Sequence, residues 1–282
     1  MDRSTKEHKE MKQNYNGKSV WITGGGSGLG KAMALKYSDM GARVAVSGRR
    51  VDRLKETVRN IENQGGSGFA VPCDVGQEQQ IASAIDQVIN RFGSLDVAVA
   101  NAAFPLKGEI ETLEADDWRR QFEVNVIGAA MTAKHALPEL RKTKGRLVLV
   151  GSGASMATVP MYGAYCASKY ALRAIGQTLA MELHGSGVSC IVLYPGYMNT
   201  EFIQIDNNGH FNPNKKKVVN RFMWSSEKSA KTCIRAIHKR KREFSFTPMG
   251  KIFCWFGAHM PGLFHFLITR IGTPGVETLD AS

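Results

Sequence analysis

The 282-residue chain is poor in the features that would assign it to several large classes. Its five cysteines (Cys73, Cys166, Cys190, Cys233 and Cys254) are odd in number and widely scattered, and none forms a C-x-x-C pair. That pattern argues against a disulfide scaffold and against a zinc cluster, and it fits a reducing, cytoplasmic setting. The seven histidines hold no ligand spacing; the closest pair, His259 and His265, matches no common metal pattern, so no metal site is expected. The first 18 residues mix both charge signs without an apolar stretch, so neither a secretory signal nor a start-transfer helix is expected there. No internal repeat and no low-complexity linker divides the chain, and with 43% hydrophobic and 22% charged residues it reads as one globular domain.

Negative charge is also scarce. The formal net charge is +12, and residues 205–282 hold 13 Lys/Arg against 5 Asp/Glu, a net of +8. Three readings of that end compete: a solvated basic surface, attraction to an anionic membrane, and nucleic-acid binding. Aromatic residues do not interleave with the basic ones as a base-stacking platform requires, so nucleic acid ranks last.

Short apolar, β-branched runs recur at 18–23, 42–47, 68–72, 95–100, 145–151, 188–194 and 244–247. Longer stretches of helical periodicity lie between them, among them 80–92 and 116–140. Apolar runs alternating with helices imply strands buried on both faces and joined by right-handed crossovers, which is a doubly wound parallel α/β sheet. A last helix is expected over 225–240.

The stretch "TGGGSGLG" (23–30) follows the first strand and opens the first helix. Glycine permits positive φ and lets the backbone approach a pyrophosphate, whose charge meets free N–H groups at a helix N-terminus. Further on, "YGAYCASKYAL" (162–172) places Tyr165 and Lys169 four apart, on one face of a helix. A phenol of ordinary pKa ~10 is a poor acid near neutrality, and a nearby ammonium would draw it down.

With Gly24, Gly28 and Gly30 spaced as T-G-x-x-x-G-x-G and Tyr165 and Lys169 inside Y-x-A-S-K, the chain resembles the short-chain dehydrogenase/reductase family over roughly residues 17–200. The resemblance implies a single Rossmann-type domain and a homodimer or homotetramer. It assigns Ser152, 13 residues before Tyr165, as the hydroxyl that polarises a substrate carbonyl, with Ser155 a less well-spaced alternative. It makes Asn125 the helix asparagine that holds a water relay behind Lys169. Ser27 and Leu29 belong to the glycine loop, and "CDV" supplies Asp74 and Val75 against an adenine. Asn101, Pro195, Gly196 and Thr200 fall on the segments that flank the nicotinamide. At 100–103 the chain departs from the family's N-N-A-G, reading A-N-A-A with Ala100 and Ala103 in place of the first asparagine and the glycine.

The second strand ends in "SGRR". Gly48 stands where NAD enzymes of this build carry an acid, and Arg49 follows, so NADP(H) is expected over NAD(H). A charge-assisted hydrogen bond to a 2′-phosphate is worth roughly 1.5–3 kcal/mol, about one to two orders of magnitude in affinity. Residues 1–16 are expected to form a flexible N-terminal segment and 17–250 the catalytic domain. Within it, 197–225 should be a lid whose Phe202, Ile203, Phe222, Met223 and Trp224 point to an apolar substrate. Residues 251–282 read as an apolar, aromatic extension, too short and too broken by Gly257, Pro261 and Gly262 to span a membrane. It should cover the substrate mouth or lie at a membrane interface, aided by the nearby Lys215–Lys217 and Lys239–Arg242. The expected activity is NADP(H)-dependent reduction of a small carbonyl compound or oxidation of the corresponding alcohol. The alternatives are a dinucleotide sensor with little turnover and a peripheral-membrane lipid-ketone reductase.

Overall fold

A computed structural model describes residues 10–215 and 223–271. Nine strands are described: β1 (Ser19–Thr23), β2 (Arg43–Gly48), β3 (Ser67–Pro72), β4 (Val97–Ala100), β5 (Arg146–Val150), β6 (Ser189–Tyr194), β7 (Met198–Asn199), β8 (Trp224–Ser225) and β9 (Glu243–Ser245). Seven of them form one sheet in the order β3-β2-β1-β4-β5-β6-β9. Every pairing in it is parallel, with Val20 beside Val44 and Val97, and Leu193 beside Phe244. The doubly wound parallel sheet read from the apolar runs is therefore the fold.

Helices α1 (Gly28–Asp39), α2 (Val51–Asn63) and α7 (Ser226–His238) pack on one face of the sheet. Helices α3 (Glu78–Phe92), α5 (Gly128–Thr143) and α6 (Gly163–Glu182) cover the other. Val20, Ile22, Val44 and Val46 point to the first layer and Trp21, Ala45, Ala98 and Leu149 to the second. That two-sided burial is why these strands read as unbroken apolar runs rather than alternating ones.

The long helix expected over 116–140 is divided. α4 (Ala115–Phe122) passes into a π-helical turn over Glu123–Ile127 before α5 begins. Such turns shift the helical register by one residue and often lie at functional sites. Here the turn carries Asn125, 1% exposed.

The flexible segment expected over residues 1–16 is corrected over its described part. Residues 10–15 are helical, and Met11 and Tyr15, four apart and each 1% exposed, lie in the core against α1 and α7. The Tyr15 ring meets Tyr37 edge-on at 5.1 Å. The mixed charges of this stretch sit on the outer face of one amphipathic turn, which hid its two buried residues.

The C-terminal stretch forms α8 (Pro248–His259) and α9 (Pro261–Ile271), two helices that meet at Met260 at an angle of 119°. Thr247 caps α8, its hydroxyl accepting from Gly250 N at 2.9 Å, and Pro248 starts the helix, where a missing N–H costs nothing. Among the described residues no single helix is long and apolar enough to cross a membrane.

Candidate active site

At the carboxyl ends of the strands lies a cavity of about 800 Å³. This is the edge at which open α/β sheets bind ligands, beside the point where strand order reverses between β1 and β4. The glycine loop forms one wall. Gly24 has φ +66°, a left-handed conformation costly for any residue with a side chain. A Cβ on Gly30 would press into the Gly24 carbonyl and lie 2.6 Å from Asn101 Nδ2, so the first helical turn can close on the loop only without one. Asn101 holds this geometry by donating from Nδ2 to the carbonyls of Thr23 at 2.9 Å and Gly24 at 3.2 Å. Thr23 Oγ1 accepts in turn from the N–H groups of Asn101 and Ala102. The threonine opening the motif is thus a positioning residue that the sequence reading did not single out. Ala103 adopts no positive φ, so its methyl is carried without backbone strain.

At the end of β2, Gly48, Arg49 and Arg50 line the cavity. Arg49, to which the sequence reading gave the cofactor phosphate, donates through Nη2 to the Gly209 carbonyl at 2.6 Å. Arg50 turns inward and donates to Ser27 Oγ at 3.0 Å, with Glu201 3.8 Å from its Nη1. The guanidinium that reaches the glycine-loop hydroxyl is thus that of Arg50, while that of Arg49 is held on Gly209. Asp74 and Val75 also line this half, and Asp74 Oδ1 accepts from Gly76 N at 3.0 Å.

Ser152, Tyr165 and Lys169 come together at the inner end of the cavity. Ser152 lies two residues beyond β5 and caps a short 3-10 turn, its Oγ accepting from Ala154 N at 3.2 Å. Ser155 is fully buried and accepts from Ser152 N at 3.3 Å, so it shapes the turn while Ser152 faces the cavity. Tyr165 and Lys169 project from the first turns of α6, and Lys169 Nζ lies 5.7 Å from the Tyr165 ring centroid. Lys169 is 2% exposed and donates to the Val150 carbonyl at 3.0 Å, while burial draws its pKa down to about 8. Burial pushes the Tyr165 hydroxyl up, and a hydrogen bond with Ser152 works against that rise. Desolvation is the largest cause of that rise.

Asn125 is engaged on both sides of its amide. Oδ1 accepts from Phe104 N at 3.1 Å, and Nδ2 donates to the Phe104 carbonyl at 3.1 Å and to Ser168 Oγ at 3.2 Å. Gln121 joins the same pair, so the turn clamps the loop after β4 onto α6 beside the Tyr165–Lys169 face. Ser168 stands inside the Y-x-A-S-K motif without having been given a role, and Gln121 was not anticipated, because in sequence it is an ordinary polar residue within a helix.

On the far side, Pro195, Gly196 and Thr200 line the cavity, and Thr200 caps a 3-10 turn over Glu201–Gln204. From the expected lid, Phe202 and Ile203 face the cavity, with the Phe202 ring 6.0 Å from that of Tyr165. Met223 and Trp224 do not; they border a separate small surface pocket, and Trp224 packs on Phe246. Phe222, Lys216 and Lys217 lie outside the described residues. The remaining wall comes from α8 and α9 through Phe253, Phe256, Phe264, Leu267 and Ile268. The described part of the extension, residues 251–271, therefore lines the cavity; residues 272–282 lie outside the described residues.

The basic run Lys239–Arg242 is not beside it. These residues precede β9 at the amino-end edge of the sheet, where Arg240 donates to the carbonyls of Lys144 and Gly187. Proximity in sequence misled because β9 carries the chain from one edge of the sheet to the other. All five cysteines are buried and free. No metal-binding cluster occurs among the described residues.

The short chain dehydrogenase profile matches residues 18–209, and the chain belongs to that oxidoreductase family. It is 35% identical over 193 residues to 11-beta-hydroxysteroid dehydrogenase A of Arachis hypogaea, covering 68% of this chain and 55% of the relative. The chain thus matches little more than half the length of that relative. An oxidoreductase of Thermotoga maritima is 31% identical over 211 residues, covering 74% of this chain and 83% of the relative. Among solved structures, the alcohol dehydrogenase of Thermococcus sibiricus complexed with 5-hydroxy-NADP aligns with a TM-score of 0.71 at 28% identity, covering 81% of this chain and 95% of that one. A short-chain dehydrogenase of Burkholderia cenocepacia in complex with NADP aligns at 0.70 and 27% identity, covering 79% and 91%.

Proposed function

We propose that this protein is an NADP(H)-dependent carbonyl reductase or alcohol dehydrogenase acting on a neutral, largely apolar ketone, aldehyde or secondary alcohol. The observation that carries the reading is the convergence of Ser152, Tyr165 and Lys169 in the same cavity as the glycine loop. A dinucleotide fits the residues present: Gly24, Gly26 and Gly28 bring bare backbone to the cavity wall at the N-terminus of α1, and the close packing of Gly30 on Gly24 holds the loop in that shape. Ser27, Leu29, Gly28, Asp74, Val75, Asn101, Pro195, Gly196 and Thr200 would line it. When bound, the nicotinamide supplies or accepts the hydride.

Ser152 has its lone pair engaged by Ala154 N, which leaves its proton to donate to the substrate oxygen. Tyr165, kept protonated by burial, gives that oxygen its proton in the reductive direction and takes it back in the oxidative one. Lys169 would hold a cofactor ribose, and its charge would favour the phenolate left behind. The NADP(H) preference rests on Arg49 and Arg50 beside Gly48, where a ribose-binding acid is missing. Solved relatives titled with NADP are consistent with it. The apolar walls and the hydroxysteroid dehydrogenase names among the relatives support a lipophilic substrate. Following NADPH and NADH oxidation across a panel of ketones and aldehydes of increasing apolar size tests the reading. Turnover with NADPH that rises with apolar size supports it; cofactor binding without turnover on any substrate points instead to a sensor.

A further inference from the structure

Between Pro248 and Ile271 the chain carries apolar residues both towards the cavity and away from it. Phe253, Phe256, Phe264, Leu267 and Ile268 face the cavity and Ile252 lines it while 53% exposed, whereas Trp255, Leu263 and Phe266, which do not line it, expose 51%, 41% and 55% of their surface. Trp255 on α8, Met260 at the bend and Leu263 and Phe266 on α9 are all exposed and none lines the cavity, so outward apolar residues run through both helices and the bend between them. Helices covered in apolar residues all round belong in a core or in lipid, and here only one side has a core to meet. The pair has the length and composition of a membrane element bent by 119°. A broken segment of that shape suits either a bent crossing or a re-entrant insertion into one leaflet, and the cavity behind α8 and α9 leaves one side of the pair on the protein.

Charge selects the occupant. From Phe244 to Ile271 there is no Asp or Glu, and the only full charges are Lys251 and Arg270 near the outer ends of the two helices. Arg270 lies over the Phe266 ring at 5.6 Å, its stem along the apolar face. Cations at the edge of an aromatic patch suit the headgroup level of a bilayer, where long basic side chains reach out to phosphates. Two copies of this chain meeting face to face would instead bring these cations together with no carboxylate in the segment to offset them.

We propose that the α8–α9 pair docks the protein into one leaflet of a lipid bilayer, with the outward apolar residues in the acyl region and Lys251 and Arg270 at the headgroups. The cavity lies directly behind this surface, so its apolar wall opens towards the lipid. Because Lys239–Arg242 lie at the opposite edge of the sheet, docking is driven by apolar contact and only assisted by charge. Binding to neutral phosphatidylcholine vesicles is therefore expected, several-fold stronger with added phosphatidylserine, and largely retained in 0.5 M salt (about a 4–5 Å Debye length).

Vesicle flotation of the full chain tests this beside a Trp255→Ser, Leu263→Ser, Phe266→Ser triple variant, none of whose residues lines the cavity. The wild type should float with both vesicle types. The variant should remain at the bottom while keeping its thermal transition and its NADPH-induced fluorescence change. A wild type that stays at the bottom overturns the proposal, whether it is monomeric or a dimer that the triple variant dissociates. Flotation only with anionic vesicles, abolished by salt, also overturns it and returns the contact to the basic surface. The flotation result is independent of turnover, so failure of the enzymatic reading leaves it standing.

Discussion

The two halves of the cavity are built by different means. The glycine-loop half is made of backbone, with Gly24, Gly30, Thr23 and Asn101 locked by a few hydrogen bonds at the ends of β1 and β4. The substrate half is made of side chains: Phe104, Val159, Phe202, Phe253 and Leu267 arrive from five separate stretches of chain. A backbone surface tolerates almost no substitution, whereas a wall of apolar side chains can be repacked. One half is therefore fixed by geometry and the other by volume and polarity.

That contrast is open to direct attack. The largest effect should come from the junction between the halves. Tyr165→Phe is expected to lower kcat by about 100- to 10,000-fold, the usual contribution of a positioned acid, while NADPH affinity measured by fluorescence stays within about two-fold. Activity within a few-fold of wild type would remove Tyr165 from the mechanism.

Next come the two arginines. Arg49→Asp should shift the ratio of kcat/KM for NADPH over NADH by roughly 10- to 100-fold towards NADH. If the ratio changes only in the Arg49, Arg50 double variant, the guanidinium on Ser27 is the one that reads the phosphate.

Within the backbone half, Gly30→Ala should weaken dinucleotide binding by about ten-fold and cost roughly 1–3 kcal/mol of stability, because its methyl has no room against Gly24 and Asn101. Thermal unfolding with and without NADPH separates these two effects. A pH profile tests the buried amine. Lys169 is charged below about 8 and neutral above it, so the reductive kcat/KM should fall as pH rises through 8, by about ten-fold per unit at the steep end. In Lys169→Arg, whose guanidinium keeps its charge, that limb should disappear from the range below pH 10 even though turnover is reduced.

The smallest effect is expected in the side-chain half. Phe253→Ala should leave kcat nearly unchanged and raise KM several-fold for the bulkiest apolar substrates only. A loss as large as that of Gly30→Ala would mean that this wall is as rigid as the loop.

The same contrast explains what could be read without coordinates. Gly24, Gly28 and Gly30 were legible because a close backbone approach leaves no alternative residue at fixed spacing, and Tyr165 and Lys169 because one helical turn separates them. The sheet was legible because strands buried on both faces are written as apolar runs. The substrate wall was not: an apolar residue in a lid reads like one in a core, and Trp224, expected in the lid lining, packs on Phe246 instead. The π turn at Asn125 escaped because one extra residue in a helical ring leaves the hydrophobic period almost unchanged, and residues 10–15 because two buried side chains are too few to make a pattern.

The meeting of Gly196 with Thr247 joins the two halves. A Cβ on Gly196 would collide with the Thr247 side chain that caps α8, so the cavity-lining loop at Pro195 and Gly196 and the base of the C-terminal pair are pressed together. Contacts of this kind are reciprocal in free energy. Whatever factor the seating of α8 contributes to holding a dinucleotide against that loop, a bound dinucleotide must return to the seating of α8, so occupancy at one end and anchorage at the other are one equilibrium viewed from two sides.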